Sequence, residues 1–428
     1  MASTDRESSQ RNPRGVLRNL WSSLGPGVVT GAADDDPSGI ATYSVAGAQL
    51  GTALLWTSLI TWPLMAAVQS MCARIGMVTG HGLTSTFRTK FPRSVLIGVA
   101  GLLTLANTIN IGADLTGMGD AMELLTNVHS HLWVIGFGLL IAWATIRLRY
   151  IVLANALKWL ALVLFAYVLT AIRLHPDWSS VVNAAVIPRL PQGRAAWATL
   201  VAILGTTISP YLFFWQASQE VEEEKSIGRH TLVERRGATP AEILNRRIDI
   251  GVGTFFSNLV MFFIVLTTAL TLHTHGMTAP RTSKEVALAL RPLAGRFSAL
   301  LYTIGLVGTG ILAIPTLAGS AAYALAETFH WREGIDEIFP KARRFYVVLA
   351  LSIVAGISMD FANLNAIKAL YWTAVINGLL APFLLLGILI VASDRKIMRG
   401  QPSSRLGQVT VGLTTAAMFV AAVAMFVV

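Results

Sequence analysis

Apolar runs of about twenty residues, parted by short charged segments, recur along the 428-residue chain; a run of that length lets a helix cross a bilayer. Eleven spans can be drawn, at 24–48, 52–77, 94–119, 130–147, 150–172, 196–219, 248–272, 297–326, 343–358, 365–392 and 406–427. They lack the polar–apolar alternation of barrel strands, so all are predicted to be helices, which satisfy their backbone groups internally in lipid. The fold class is an all-α polytopic membrane protein. Residues 1–23 read as a tail, 24–392 as a core, and 393–428 as an inner loop with the eleventh helix.

Charge sets the orientation. With the N-terminus inside, the inner segments hold 24 Lys and Arg and the outer segments seven, while Lys158 and Lys368 fall within spans. This asymmetry places the N-terminus in the cytoplasm and the C-terminus outside, in a multi-pass protein of the plasma (inner) membrane. It also accounts for the net charge of +10 without nucleic acid as a partner. The charged share of 13% is far below the roughly 25% of soluble domains. The first twenty residues carry no apolar core or cleavage site, so no signal peptide is read. The single cysteine, Cys72, excludes an internal disulfide framework and reads as a small buried hydrophobe.

Two loops exceed the rest. Residues 220–247 read as a solvated inner loop, with Glu222, Glu223 and Glu224 as a solvated helix end rather than a metal site. Residues 273–296 contain TSKEVALALRPL, predicted as a short amphipathic helix lying at the outer surface.

Two spans are interrupted near their middles, span 1 by DDDPSG at 34–39 and span 6 by GTTISPY at 205–211. Proline removes a backbone donor and clashes with the preceding turn, so each span is expected to split into two half-helices. Breaks in corresponding spans of two halves point to inverted repeats with a site near the membrane midplane; two unrelated proline kinks are the plainer reading. The aspartates favour a site. One carboxylate at the bilayer centre costs about 2.5–3.5 kcal/mol on insertion scales, and Asp34, Asp35 and Asp36 stand together with no Lys or Arg in span 1 or span 6. A cation from solution, held by carboxylate and by unwound carbonyls, is the economical partner.

These residues resemble the NRAMP divalent-metal transporters. Asp36-Pro37-Ser38-Gly39 is similar to that family's DPGN, Ser209-Pro210-Tyr211 stands in the place of its MPH, residues 73–80 (ARIGMVTG) are close to its ARLGVVTG, and Gly112-Ala113-Asp114 to its G-S-D. The resemblance, over about 24–400, implies a leucine-transporter-type fold, spans 1–5 and 6–10 forming the repeats and span 11 appended. It implies import by alternating access, the metal being cargo, with no cofactor and no obligatory protein partner besides the bilayer. As ligands it implies Asp36, the residue at Gly39, a span 6 carbonyl at Thr206, and the residue at Ser209.

The departures are chemical. Gly39 replaces an amide and Ser209 a thioether, so the implied site loses its only soft ligand. Carboxylate, carbonyl and water suit Mg²⁺, Ca²⁺ and Mn²⁺, and small residues at 38, 39 and 209 are expected to widen the pocket for a partly hydrated Mg²⁺. The pattern resembles the NRAMP-related magnesium transporter branch. The expectation is Mg²⁺ with Mn²⁺ as co-substrate; an ordinary proton-coupled Mn²⁺/Fe²⁺ importer is the alternative. At the family's proton-relay positions stand Tyr211, Gln216 and Gly117, none of which titrates near neutrality. Metal flux without obligatory proton coupling follows, with Asp114, Asp34 and Asp35 as the remaining candidate carriers.

Asp34 and Asp35 are also candidate ligands or supports of the site, Asp114 is expected to pair within the bundle, and Asn377 could complete the site through its amide or be an ordinary hydrogen-bonded asparagine. His273 and His275 end an outer helix, and Gly305, Gly308 and Gly310 read as close packing. A sodium-coupled amino-acid symporter of the same fold would present positive half-helix ends to its substrate carboxylate, where three aspartates would repel it. No P-loop, HExxH or GxSxG setting supports an enzyme.

Overall fold

The computed structural model describes residues 30–31, 33–147, 162–335, 337–362 and 365–428. The tail, most of span 5 and Lys158 lie outside the described residues. The principal helices are α1 (Pro37–Leu50), α2 (Trp56–Thr79), α3 (Arg93–Thr126), α4 (Ser130–Arg147), α5 (Phe165–Arg173), α6 (Arg194–Thr207), α7 (Pro210–Ser226), α8 (Pro240–Thr271), α9 (Ser298–Phe329), α10 (Arg343–Asp360), α11 (Ala366–Ser393) and α12 (Arg405–Val427). Among the described residues seven helical stretches are long and apolar enough to cross a membrane, α6 and α7 counting together. Large apolar side chains such as Leu105, Leu140, Leu413 and Val420 stay exposed on outward faces, where lipid would cover them.

Both anticipated breaks are present. Residues 33–34 are helical, the chain leaves the helix at Asp35 and Asp36, and α1 restarts at Pro37. Span 6 parts at Ile208 and Ser209, and α7 restarts at Pro210. In each case proline occupies the first turn, where its missing N–H costs nothing. Proline alone does not decide this: Pro63, Pro315 and Pro382 sit inside continuous helices. The difference lies in the residues just before it, where Asp36 caps α1 through its side chain.

Helices in equivalent places of the two repeats pack on one another, α2 on α8 and α3 on α9. The broken spans are held by backbone-close contacts that only glycine permits. A Cβ on Gly31 would stand 2.5 Å from the Gly253 carbonyl carbon of α8, and one on Gly205 would stand 2.1 Å from the Ala374 oxygen of α11. Of the span 8 glycines, Gly310 packs where a Cβ would meet Met118 at 2.3 Å.

Three loop expectations change. The 220–247 segment is mostly helix, since α7 runs to Ser226 and α8 starts at Pro240 behind a Thr239–Glu242 capping box. Glu222 and Glu224 are buried, not solvated, because Lys225 and Arg229 pair with them at 2.8 and 2.7 Å. The 282–293 segment packs inward through Val286, Ala287, Ala289 and Leu290, tied by the Ser283 amide to Asp120 at 3.2 Å, rather than lying on the surface. Below α11 the Lys90 ammonium and two turn amides hold the Asp394 carboxyl down to about 2. Because that pKa is lowered, the link is complete above the ordinary carboxylate range and is lost only as pH falls through about 2. Cys72 is buried and unpaired, as expected.

Gly205→Ala is expected to lower the unfolding midpoint of detergent-purified protein, since backbone cannot yield to the new methyl. Gly101→Ala on the lipid-facing side of α3 meets open space, and it should leave the midpoint unchanged or raise it by helix propensity, up to about 1 kcal/mol. Equal effects of the two changes would contradict the packing described.

Candidate metal site at the paired helix breaks

Asp36 stands at the centre of the first break, 2% exposed. Its Oδ1 accepts from the Gly39 amide at 2.6 Å, and its Oδ2 accepts from Asn110 Nδ2 of α3 at 3.1 Å. The local reason is the start of α1, whose first amides have no helical partner and are capped by the Asp36 side chain. Ser38 donates to the Leu370 carbonyl at 3.0 Å and lies 3.2 Å from Thr373 Oγ1, anchoring the same turn to α11.

Asp34 and Asp35 are met from α8. Ser257 of α8 donates to Asp34 Oδ2 at 2.6 Å, and the same hydroxyl lies 3.2 Å from Asp35 Oδ1. One hydrogen cannot satisfy both, and Asp34 Oδ1 has no hydrogen-bond partner. Asp114, completely buried, does not pair within the bundle as expected: both oxygens lack a well-formed hydrogen bond, although Asp36 and the Ser38 amide are neighbours. Among the described residues no basic side chain pairs with it.

The second break answers the first. Ser209 turns its hydroxyl back onto the Thr206 and Gly205 carbonyls at 2.6 and 2.9 Å, partly satisfying the acceptors that the break exposes. Tyr211 donates to the Ala33 carbonyl at 3.0 Å, so the second half-helix of span 6 caps the first half of span 1. Small residues do not leave an open pocket here. A Cβ on Gly39 would lie 3.1 Å from Thr206 Oγ1 and 3.3 Å from Asp36 Oδ1, so the neighbours close on the missing side chain. Two cavities, of about 380 Å³ beside α2, α8 and α12 and about 840 Å³ beside α1, α6 and α11, flank the site, and neither is lined by residues of the breaks.

Among the remaining candidates, Asn377 is buried on α11 next to Gly378, whose Cβ position is 2.3 Å from the Val201 carbonyl of α6. Asn377 has no direct bond to Asp36, whose oxygens accept from Gly39 and Asn110. At Gly117 a Cβ would meet Leu370 at 2.8 Å, so α11 occupies the space an acidic side chain would need. Gln216 donates to Glu220 at 2.6 Å, and Glu220 joins Glu223 and Asp249 around Arg246. His273 and His275 bond backbone carbonyls at 2.8 and 2.5 Å. Among the described residues no group of three or more His, Cys, Asp or Glu is spaced to hold a metal by itself.

Sequence reading missed Asn110 and Ser257, the two side chains that touch the aspartates from other helices. Asn110 was legible as the polar residue one turn before Asp114; Ser257, one hydroxyl in an apolar run, gave no signal.

The family model described as natural resistance-associated macrophage protein-like matches residues 27–428. The chain belongs to that family. Curated proteins named divalent metal cation transporter MntH are similar to it, one from Pectobacterium carotovorum at 26% identity covering 76% of each chain, and one from Deinococcus radiodurans at 25% covering 90% of this chain and 85% of that one. A crystal structure of the Eremococcus coleocola manganese transporter, bound to an aromatic bis-isothiourea compound, superposes with a TM-score of 0.75 at 17% identity, over 97% of this chain and 88% of that one. Mhp1, a nucleobase-cation-symport-1 family transporter, follows at 0.58 and 16%, over 94% and 90%. These likenesses establish the fold of this NRAMP-family chain as all-α and leucine-transporter-type.

Tyr211→Phe should cost about 1–3 kcal/mol of stability by stranding the buried Ala33 carbonyl. Tyr371→Phe, whose hydroxyl lies in a part-buried cluster with Thr199, should cost less, about 0.5–1.5 kcal/mol. Chemical unfolding of the two variants in detergent ranks them; the opposite order would contradict the capping role.

Proposed function

We propose that this protein is a multi-pass importer of divalent metal cations in the plasma membrane, not an enzyme. Its cargo is Mg²⁺ with Mn²⁺, moved by alternating access without obligatory proton coupling. The observation that carries the reading is the set of buried acceptors around the first break: Asp34 Oδ1 and Asn110 Oδ1 have no donor, and the Asp114 carboxyl has only the Ser38 amide beside it. Oxygen acceptors stranded together in a membrane interior are stabilised by a cation arriving among them. In this reading Asp36 is the principal charged ligand, the Thr206 carbonyl and Ser209 hydroxyl supply oxygen from the second break, and Gly39, at the position the resemblance implies, adds no side chain between them. Asp34, Asp35 and Asn377 support the site. The family membership and the metal-transporter names of the relatives agree with a divalent cation.

The choice of Mg²⁺ rests on the donor set. Among the described residues the side chains of the two breaks offer oxygen donors, the Met118 thioether packing on Gly310 beside Pro37, and oxygen donors with retained water suit hard dications. The manganese named for the structural relative favours a second reading, Mn²⁺ as main cargo. Independence from protons rests on Tyr211 and Gln216 being engaged as hydrogen-bond donors and on Leu370 filling the space beside Gly117. The driving force is then the membrane potential, about 2.3 kcal/mol per charge per 100 mV, acting with the N-terminus and the basic loops inside.

Uptake into liposomes of purified protein tests this. Wild type is expected to take up Mg²⁺ and Mn²⁺ with no protein-dependent acidification of the lumen, and Asp36→Ala to reduce uptake to background. Ser209→Met should raise the preference for Cd²⁺ over Mg²⁺ by about tenfold, because a thioether favours softer ions. Strong Cd²⁺ preference in the wild type would defeat the Mg²⁺ assignment, and metal-driven acidification would defeat the uncoupled one.

A further inference from the structure

Asn110 is placed where no residue of either break can act in its stead. Its amide polarity follows from its partner: Nδ2 faces the Asp36 carboxylate at 3.1 Å, and a carboxylate can only accept. Oδ1 is thereby turned the other way, fully buried and without a hydrogen-bond partner. A buried amide oxygen left in that state is uncommon and calls for an explanation.

Its neighbours on α3 sharpen the point. Asn107 stands one turn earlier and Asp114 one turn later, spacings that put all three on one helix face. Asn107 is fixed by α9, donating to the Leu317 carbonyl at 2.9 Å and to Ser320 Oγ at 2.8 Å, yet its own Oδ1 also lacks a partner. With the Asp114 carboxyl met only by the Ser38 amide, this face of α3 carries acceptors beside a break that is itself acidic. Bracing Asp36 needs only the NH₂ half of Asn110; it leaves the oxygen unexplained.

We infer that Asn110 is a specificity-determining residue whose Oδ1 faces the transported dication, directly or through one retained water, while its NH₂ orients Asp36. An amide oxygen is hard and neutral. It favours Mg²⁺ and Mn²⁺ over thiophilic ions without adding negative charge to a site already rich in carboxylates. The inference rests on the divalent-cation reading above, but not on which hard dication is the cargo.

The experiment is competitive uptake into liposomes of Mg²⁺ against Cd²⁺, and in parallel Mn²⁺ against Cd²⁺, for wild type, Asn110→Met and Asn110→Asp. Asn110→Met is expected to move both ratios toward Cd²⁺ by about tenfold, and Asn110→Asp to move them toward the hard ion. A residue that only braced Asp36 would lower all uptake together and leave the ratios where they were. Ratios within about twofold of wild type in whichever variant folds, the Asp variant deciding if the Met variant does not, overturn the inference. Wild-type uptake of Mn²⁺ without Mg²⁺ would sink the Mg²⁺ assignment alone, since the Mn²⁺ ratios still judge Asn110. No divalent uptake at all would sink both.

Discussion

A carboxylate closed off from water must be solvated by something, and the arrangement around Asp36 follows from how that is done. Its two oxygens take a backbone amide from the start of α1 and a side-chain amide from α3. Neither donor carries a full charge, so the pair orients the carboxylate without neutralising it. A guanidinium or ammonium in Asn110's place would form a buried ion pair and remove the attraction for any ion from outside. By stabilising Asp36 with dipoles alone, the fold holds a geometry without pairing off the charge.

The same economy governs the backbone. Two interrupted helices in a membrane expose carbonyls that lipid cannot satisfy, and the chain satisfies them reciprocally. Tyr211 after the second break reaches the Ala33 carbonyl before the first, while Ser209 folds back on Gly205 and Thr206. A carbonyl oxygen has two lone pairs, so a hydroxyl already bonded to Thr206 leaves an acceptor site for a cation. The closeness this demands explains why the broken spans meet α8 and α11 through Gly31, Gly253, Gly205 and Gly378 as well as through the side chains of Asp34 and Ser38. Rearrangement of a half-helix would disturb several of these bonds at once, so the breaks are mechanically coupled to the elements that hold them.

Much of this was legible in the residues. Long apolar runs reveal helices in lipid because hydrophobic length is itself the constraint, and α4, α9 and α12 begin and end within three residues of their expected limits. Asp-Pro and Ser-Pro located both breaks, since an extended residue followed by proline in the first turn starts a helix; only Asp36 adds a side-chain cap, Ser209 bonding back onto the half-helix before it. Partners distant in sequence were not legible. Nothing in the order of residues says that Ser257 meets Asp34, or that Leu370 fills the space beside Gly117. The glutamates at 222–224 misled for a related reason: a charge run looks solvated until tertiary structure brings Lys225, Arg229 and Arg246 against it.

Placing the acceptors on three different elements has a consequence for transport. Asp34 belongs to the first half of span 1, Asp36 to the start of α1, and Asn110 and Asp114 to α3, a helix continuous through the membrane. In the reading proposed above, a cation among them would be attracted to all three and held fully only while they stay together. If α3 remains still while span 1 moves, the site loses oxygens from one wall before the other, and the ion is released by separation of its ligands instead of by protonation of them. That is a physical route to metal flux without a titrating histidine. It requires that the neighbours of Asp36 come from a different element than Asp36 itself, and the bond that Asn110 Nδ2 of α3 donates to it is of that kind.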